Sequence, residues 1–236
     1  MLRMENVGKT YRHRGQLVKA LDDATLHIPA GDFVSVVGPS GSGKSTLLLM
    51  LGGMLSPSEG RVLLEASSVY DLSPSERARM RREKVGFVFQ TFNLIPYLSA
   101  LENVQVPLFL ARVEEKAQKV RARALLERLG LADRLDHKPG ELSVGQQQRV
   151  ALARMLANDP AIILADEPTG NLDPETSQQI IAFLEEFNAE GKTIVMVTHD
   201  PRAAKRAKRT LRLQNGAITC QGIGEDSRWQ SDSAVA

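Results

Sequence analysis

The sequence predicts an α/β fold built on a mostly parallel sheet, and three features of the chain support this prediction. Short, mainly apolar runs with the length of a strand recur at Phe33–Val37, 161–165 and Thr193–Val197. Such runs are typical of parallel strands that are buried on both faces. Segments with helical periodicity separate these runs, and strands that alternate with helices are typical of α/β proteins. An N-terminal β region and a helical insertion complete the predicted architecture.

The remaining elements are bounded by turn and capping residues. The N-terminal β region has two short predicted strands, 2–7 and 24–28, around a polar loop that contains Tyr11. The other predicted strands are 61–65, Val85–Phe89 and a C-terminal hairpin of 209–213 and Ala217–Gln221. The predicted helices are 47–54, Pro74–Lys84, 114–131, a segment through 150–156, 174–190 and 201–208. Residues 91–110 contain Pro96 and Pro107 and predict no regular element.

We expect one domain over residues 1–221. Its core is predicted to combine residues 1–92 and 151–221, with a helical subdomain over 93–150. Within the 114–131 helix, Val120, Ala124, Leu125 and Leu129 recur at helical spacing. Residues 222–236 are mainly small and polar, and we predict that this tail is disordered.

The composition restricts the possible classes of function. Thirty basic and 28 acidic residues give a net charge of +2, and we expect no nucleic-acid partner. The first residues lack the apolar centre of a secretory signal, and no apolar run reaches the roughly 18 residues that span a bilayer. Cys220 is the single cysteine, so an intramolecular disulfide and a cysteine metal cluster are excluded. We therefore expect a cytoplasmic protein whose membrane part, if it has one, comes from a partner.

The first stretch that carries chemistry follows the Phe33–Val37 run directly. It consists of Gly38, Pro39, Ser40, Gly41, Ser42, Gly43, Lys44, Ser45 and Thr46. The order of a strand, then a glycine loop and then the beginning of a helix fits the phosphate-binding pattern of nucleoside triphosphatases. Backbone amides and the positive end of the helix would surround the phosphates. Lys44 would reach the β- and γ-phosphates, and the Ser45 hydroxyl would bind Mg²⁺.

A second pair of candidate residues follows the apolar run 161–165. Asp166 stands at the end of the predicted strand, where its carboxylate can bind Mg²⁺ opposite Ser45. Glu167 comes next and points in a different direction, so it can face the γ-phosphate and activate the attacking water. Phosphoryl transfer needs a phosphate site, a metal and a positioned water, and these residues would supply all three.

The stretch Leu142-Ser143-Val144-Gly145-Gln146, followed by Gln147-Gln148-Arg149, resembles the signature of the ATP-binding cassette (ABC) ATPases. The resemblance implies a P-loop NTPase (RecA-like) core with an antiparallel N-terminal β subdomain and an inserted helical subdomain. It also implies a head-to-tail dimer in which each signature closes on the ATP held by the other copy. Ser143, Gly145 and Gln146 would then contact the partner's nucleotide, whereas Val144 departs from the family's glycine.

Further residues match the family in chain order. Gln90 corresponds to the glutamine that links the active site and the metal-bound water to the helical subdomain. The stretch 171–173 ends in Asp173 and matches the loop that communicates across the dimer. His199 matches the histidine that contacts the γ-phosphate. The position of Tyr11 alone favours a surface or partly packed residue over one that stacks on a base, but the resemblance implies that it stacks on adenine.

Three stretches, 88–96, 101–104 and 165–173, resemble one branch of the family. This branch contains the ATPases of lipoprotein-releasing and macrolide-efflux systems and of the related cell-division complex. It implies a separate membrane permease with an extracytoplasmic domain, which holds the ATPase at the cytoplasmic side of the inner or plasma membrane. We predict that residues 92–101 form the groove for this permease.

Two functions remain open within this branch. The chain could be the ATPase of a lipoprotein-release or macrolide and peptide efflux transporter. Alternatively, it could be a regulatory ATPase that transmits force to cell-wall hydrolases in cell division. The identity of the permease would distinguish them, because substrate selection should lie in that partner. Soluble cassettes of DNA repair or translation are disfavoured, because the separation of Gln90 from Leu142 leaves no room for the long coiled-coil insertion that many of them carry.

Overall fold

The computed structural model describes residues 1–13 and 16–221 and contains two sheets. The larger sheet has the strand order β10-β9-β3-β8-β7-β6, in which only β10 runs antiparallel to its neighbour. Its strands are β3 (Phe33–Val37), β6 (Val85–Phe89), β7 (Ile162–Asp166), β8 (Thr193–Val197), β9 (Arg209–Gln214) and β10 (Ala217–Gln221). The mostly parallel sheet that the apolar runs predict is therefore present.

The smaller sheet is antiparallel and has the strand order β2-β1-β4-β5. Its strands are β1 (Leu2–His13), β2 (Gln16–Ile28), β4 (Glu59–Leu64) and β5 (Ser67–Ser68). The two short strands predicted around a polar loop are wrong in extent, because β1 and β2 continue the pairing into the polar residues. Tyr11 pairs with Val18 in this ladder and lies in a strand, not in a loop.

Seven α-helices lie in the described part of the chain. They are α1 (Lys44–Leu51), α2 (Pro74–Lys84), α3 (Ala100–Leu110), α4 (Glu115–Arg128), α5 (Val144–Leu156), α6 (Pro174–Ala189) and the short α7 (Pro201–Ala204). The bounds predicted for the helix at Pro74–Lys84 are correct, and its Ser73–Glu76 capping box is present. The predicted boundary at residue 150 falls inside α5, and the division into subdomains stays a prediction. The tail predicted at 222–236 lies outside the described residues.

Helix α3 contradicts the prediction of an irregular segment over 91–110. Its start is fixed by a capping box, in which Ser99 and Glu102 bond to each other's backbone N–H groups. Pro107 lacks an N–H group, but it lies in the last turn of the helix, where few residues follow it. The face predicted for α4 is correct in part: Leu129 is buried and Leu125 packs against the core, but Val120 is 70% exposed. Ala122 and Leu126, which the prediction did not include, are buried.

The hydrophobic core lies on both faces of the larger sheet, and alternate residues of each strand supply the two faces. In β7, Ile162 and Leu164 pack towards α1 and the smaller sheet. Ile163 and Ala165 pack towards the cluster formed by α3 to α6. Burial on both faces explains why the parallel strands are continuous apolar runs. Because β3, β7 and β8 are parallel, their carboxyl ends lie at one edge of the sheet, where the candidate residues follow.

Candidate phosphate and metal site

The phosphate loop connects the end of β3 to the start of α1, as the sequence predicts. Gly43 adopts a left-handed backbone with φ of 99°, and a Cβ atom there would lie 2.2 Å from the Ala20 carbonyl oxygen. At Gly38, a Cβ atom would lie 2.1 Å from the Leu213 carbonyl oxygen. The loop therefore requires glycine at these two positions, and it holds the first N–H groups of α1 at the edge of the sheet.

Two polar side chains in the loop are arranged for an anion. Lys44 Nζ donates hydrogen bonds to the carbonyl oxygens of Gly38 (2.9 Å) and Pro39 (3.0 Å), so its ammonium group lies inside the curve of the loop. Ser42 Oγ is buried and has no hydrogen-bond partner within residues 1–13 and 16–221. Phosphate oxygens would accept from both groups, so the loop fits the triphosphate that its pattern predicts.

The Ser45 hydroxyl lies beside the Asp166 carboxylate, so the phosphate loop and the end of β7 meet at this point. Partial burial raises the pKa of the Asp166 carboxyl above its ordinary value, although the Ser45 hydrogen bond and the Lys44 charge oppose this effect. A desolvated carboxylate beside a hydroxyl oxygen fits Mg²⁺, which nucleotide sites hold with one or two carboxylates and phosphate oxygens. The structure thus brings two of the predicted metal ligands together.

Glu167 and His199, which are 32 residues apart, also come together. Glu167 Oε1 lies 2.9 Å from His199 Nδ1, and the backbone N–H of His199 donates to Glu167 Oε2 at 3.3 Å. Glu167 has a left-handed backbone with φ of 48°, and its N–H donates to the Val197 carbonyl oxygen. Such a conformation is costly for a residue other than glycine and is often found at functional sites. The side chain of Glu167 is only 14% exposed.

Gln90 follows β6 and contacts the loop after β7. Its Nε2 donates to Asn171 Oδ1 at 3.4 Å, and Asn171 Nδ2 donates to the Gln90 carbonyl oxygen at 3.2 Å. A Cβ atom at Gly170 would lie 2.9 Å from Gln90 Nε2, so the two loops are in close contact. Gln90 therefore lies beside the loop that carries Glu167, at the edge of the sheet where β6 and β7 end.

Ser143 and Asp173 occupy equivalent places at the starts of α5 and α6. Ser143 caps α5 and forms a capping box with Gln146. Asp173 caps α6 and accepts from the N–H groups of Glu175 and Thr176. A Cβ atom at Gly145 would lie 2.6 Å from Thr176 Cγ2, so the two helix starts are in contact. Both present positive helix ends to an exposed surface.

Tyr11 lies beside the phosphate loop although it belongs to β1. Its hydroxyl oxygen is 3.4 Å from Thr46 Oγ1, and Lys9 Nζ lies 5.4 Å from the centre of its ring. The side chain is partly exposed. An aromatic ring in this place can stack on a base whose phosphates are held by the loop, and this agrees with the role that the family resemblance implies.

Two contacts of helix α5 were not found by the sequence reasoning. Arg154 donates to the carbonyl oxygens of Phe92 and Asn93, both at 2.6 Å. Gln148 Nε2 donates to the Pro168 carbonyl oxygen at 2.6 Å. Gln148 belongs to the stretch that resembles the signature, but the sequence gives no signal for its partner. Burial lowers the pKa of the Arg154 guanidinium, which holds two carbonyl groups of the segment after Gln90.

None of the described helices is both long enough and apolar enough to span a membrane.

The sequence is similar to transporter ATPases. The profile of the family described as "ABC transporter" matches residues 21–170. The chain is 44% identical over 227 residues to the ABC transporter ATP-binding protein YvrO of Bacillus subtilis (strain 168), with 96% of this chain and 99% of that protein covered. It is 47% identical over 224 residues to the macrolide export ATP-binding/permease protein MacB of Escherichia coli. That alignment covers 95% of this chain but 35% of MacB, so the chain spans about a third of that relative.

The fold is similar to that of a solved cassette. The dimeric, post-hydrolysis structure of the ATP-binding cassette MJ0796 bound to ADP and Pi superposes with a TM-score of 0.88. The two chains are 44% identical, and 94% of this chain and all of that chain are covered. MJ0796 comes from Methanocaldococcus jannaschii. This likeness confirms the predicted fold class.

Proposed function

This chain belongs to the ABC transporter family and is an ATPase subunit of it, and we propose that it powers a separate membrane permease of the lipoprotein-release or macrolide and peptide efflux type. The proximity of the Ser45 hydroxyl to the Asp166 carboxylate, one residue before Glu167, supports ATP hydrolysis, and the similarity to the ATP-binding/permease protein MacB supports the permease. Phosphate loop, metal ligands and base thus share one edge of the sheet. The regulatory alternative in cell division has no observation in its favour.

Each side chain of the site has a separate role in the hydrolysis of ATP. Lys44 and the amides of the loop bind the β- and γ-phosphates, and Ser45, Asp166 and Gln90 would hold Mg²⁺. The bound metal ion would neutralise part of the phosphate charge. Glu167 accepts a proton from water as the water oxygen bonds to the γ-phosphorus and the bond to ADP breaks. His199 orients Glu167 through Nδ1, and its other ring nitrogen can donate to the γ-phosphate when both ring nitrogens carry a proton.

We infer that hydrolysis requires a second copy of the chain in a head-to-tail dimer. The starts of α5 and α6 present Ser143, Gly145 and Asp173 on one exposed surface. Helix starts attract anions, and a second copy would bring the γ-phosphate of its ATP to this surface. The dimeric structure of MJ0796 with ADP and Pi supports this arrangement. Val144 is 47% exposed at the same helix start and would lie at this interface.

The permease partner is proposed from two observations. MacB is named an ATP-binding/permease protein, and this chain aligns with about a third of it, so a permease is the kind of partner that this relative suggests. Tyr97 is 82% exposed in the predicted docking segment 92–101. A cavity of about 520 Å³ lies between α2, β6, α3 and α5 and is lined in part by Phe89, Leu110 and Arg154. Because Arg154 also holds Phe92 and Asn93, the cavity and the docking segment form one surface.

We propose that this surface binds a cytoplasmic segment of a permease that carries an extracytoplasmic domain. The chain would then lie peripherally at the cytoplasmic side of the inner or plasma membrane. A tagged chain that is purified with its detergent-solubilised partner, followed by identification of that partner, would decide between transport and regulation.

The Glu167→Gln variant tests the proposed function. We expect ATP binding within about threefold of the parent and ATPase activity at least about 100-fold lower, because general base catalysis contributes this much. Since ATP remains uncleaved, size-exclusion chromatography with ATP and Mg²⁺ should show a dimer, whereas the parent returns to monomer after hydrolysis. Hydrolysis by the variant at the parent rate would remove Glu167 as the base.

A further inference from the structure

Gln148 lies on helix α5 with its side chain wholly buried. Its Nε2 donates to the Pro168 carbonyl oxygen at 2.6 Å. A carbonyl oxygen can only accept, so the amide nitrogen and not the amide oxygen must face Pro168. The other amide atom, Oε1, is buried and has no hydrogen-bond partner among the residues that the structure describes. A buried polar atom without a partner destabilises the fold, so the residue calls for an explanation other than stability.

Pro168 is bonded directly to Glu167, the proposed base. Glu167 has a left-handed backbone, and the residue before a proline normally favours an extended conformation. The local sequence therefore disfavours the observed conformation, and contacts from elsewhere must hold it. The Val197 carbonyl oxygen accepts from the N–H of Glu167 on one side of this residue. Gln148 donates to the carbonyl oxygen of Pro168 on the other side.

Gln148 also has a fixed relation to the start of α5. It stands five residues after Ser143, which places it about 7.5 Å further along the helix axis. A displacement of the helix start is carried to Gln148, because a single helix moves as a rigid element over this distance. The hydrogen bond then carries the displacement to the carbonyl group of Pro168, which the rigid proline ring joins to Glu167.

We propose that Gln148 is a positioning residue, which couples the start of α5 to the carboxylate of Glu167 within one subunit. This proposal rests on the proposed function, in which Ser143 meets the partner's ATP and Glu167 is the base. When the dimer closes, α5 sets the position of Glu167 through Gln148. A binding event at one nucleotide thereby adjusts the base that acts on the other.

The Gln148→Glu variant gives a test that depends on pH. An ionised glutamate of nearly the same shape would place an oxygen against the Pro168 carbonyl oxygen and repel it, whereas the protonated side chain donates a hydrogen bond. Burial raises the pKa of such a carboxyl, so it becomes protonated within an accessible pH range. We expect kcat about tenfold below that of the parent at pH 8, equivalent to one buried hydrogen bond. The variant-to-parent ratio should recover to within about threefold at pH 6 as the carboxyl protonates.

Two further variants separate positioning from packing. Gln148→Met fills similar space without a donor, and we expect a lower kcat with the same variant-to-parent ratio at both pH values. Gln118→Glu is the matched control, because Gln118 Nε2 also donates from a mostly buried side chain to a carbonyl oxygen, that of Val113, at 2.7 Å. Gln118 lies on α4 outside the site, so its variant should keep the parent kcat.

The affinity for ATP, measured with a fluorescent nucleotide, should be unchanged in all three variants. The proposal is overturned if Gln148→Glu keeps the parent kcat at pH 8, if its loss does not depend on pH, or if the loss lies in ATP affinity. A pH-dependent loss of kcat in Gln118→Glu would overturn it as well. If Glu167→Gln is inactive while Gln148→Glu is normal, only the role of Gln148 fails. If Glu167→Gln is active, the proposed base fails instead.

Discussion

Asn103 organises the loop before α3, and replacing it with aspartate tests how this loop is held. Its side chain is fully buried. Asn103 Oδ1 accepts from the N–H of Ile95 at 2.8 Å. Its Nδ2 group faces the carbonyl oxygens of Ile95 (3.1 Å), Leu98 (3.0 Å) and Ser99 (3.0 Å). The Asn103→Asp substitution keeps the shape and the acceptor but removes the donor.

The expected cost follows from these contacts. An NH₂ group has two hydrogens, so the three carbonyl contacts are counted as about two hydrogen bonds, each worth about 1 kcal/mol. Placing a buried carboxylate opposite three carbonyl oxygens adds at least about 1 kcal/mol. We therefore expect the free energy of unfolding to fall by about 3 kcal/mol and the melting temperature to fall by about 6–12 °C. Domains are stable by about 5–15 kcal/mol, so the variant should still fold.

Urea unfolding and hydrogen exchange would measure this effect. The variant should unfold at lower urea concentration and lose exchange protection at the N–H of Ile95. Asn188→Asp is the matched control, because Asn188 Nδ2 donates to the carbonyl oxygens of Gly31 and Lys192 in a different loop. That control should be destabilised without a change in exchange at Ile95. An unchanged urea midpoint for Asn103→Asp would refute the reasoning.

Two further substitutions separate stability, catalysis and docking. Asp166→Asn should abolish ATP hydrolysis. Without nucleotide, however, the variant should have a free energy of unfolding about 1 kcal/mol higher than the parent at pH 7, because functional residues are often held at a cost in stability. Burial raises the pKa of Asp166 above 3.8. The ionised carboxylate therefore lowers the free energy of unfolding once the pH has risen through that raised pKa. The gain should therefore vanish on acidification below 3.8, and urea unfolding that shows no gain at pH 7 would contradict it. Tyr97→Glu should keep the ATPase rate of the isolated chain. It should reduce recovery of the membrane partner at least about tenfold, since a charged side chain resists burial in an interface. Recovery equal to that of the parent would exclude this surface as the docking site.

The sequence was most informative where the reason for a residue is local. The glycine pattern, the apolar runs and the capping box at Ser73 predicted their elements because each depends on neighbouring residues alone. The prediction was wrong at α3, because it rested on Pro96 and Pro107 and did not consider the Ser99–Glu102 capping box. It was also wrong at Tyr11, because the extent of the β1–β2 ladder depends on pairing between strands and not on composition.

By itself, the sequence determined which chemical groups stand at the ends of the strands. Since parallel strands end at a common edge of the sheet, it also predicted that Ser45, Asp166 and Glu167 would meet. The tertiary structure alone decided which groups hold them in place. Gln148 and Pro168 are 20 residues apart, and Arg154 lies 61 and 62 residues from Asn93 and Phe92. Contacts between such distant residues exist only once the helices and the sheet have packed, so no local pattern can specify them.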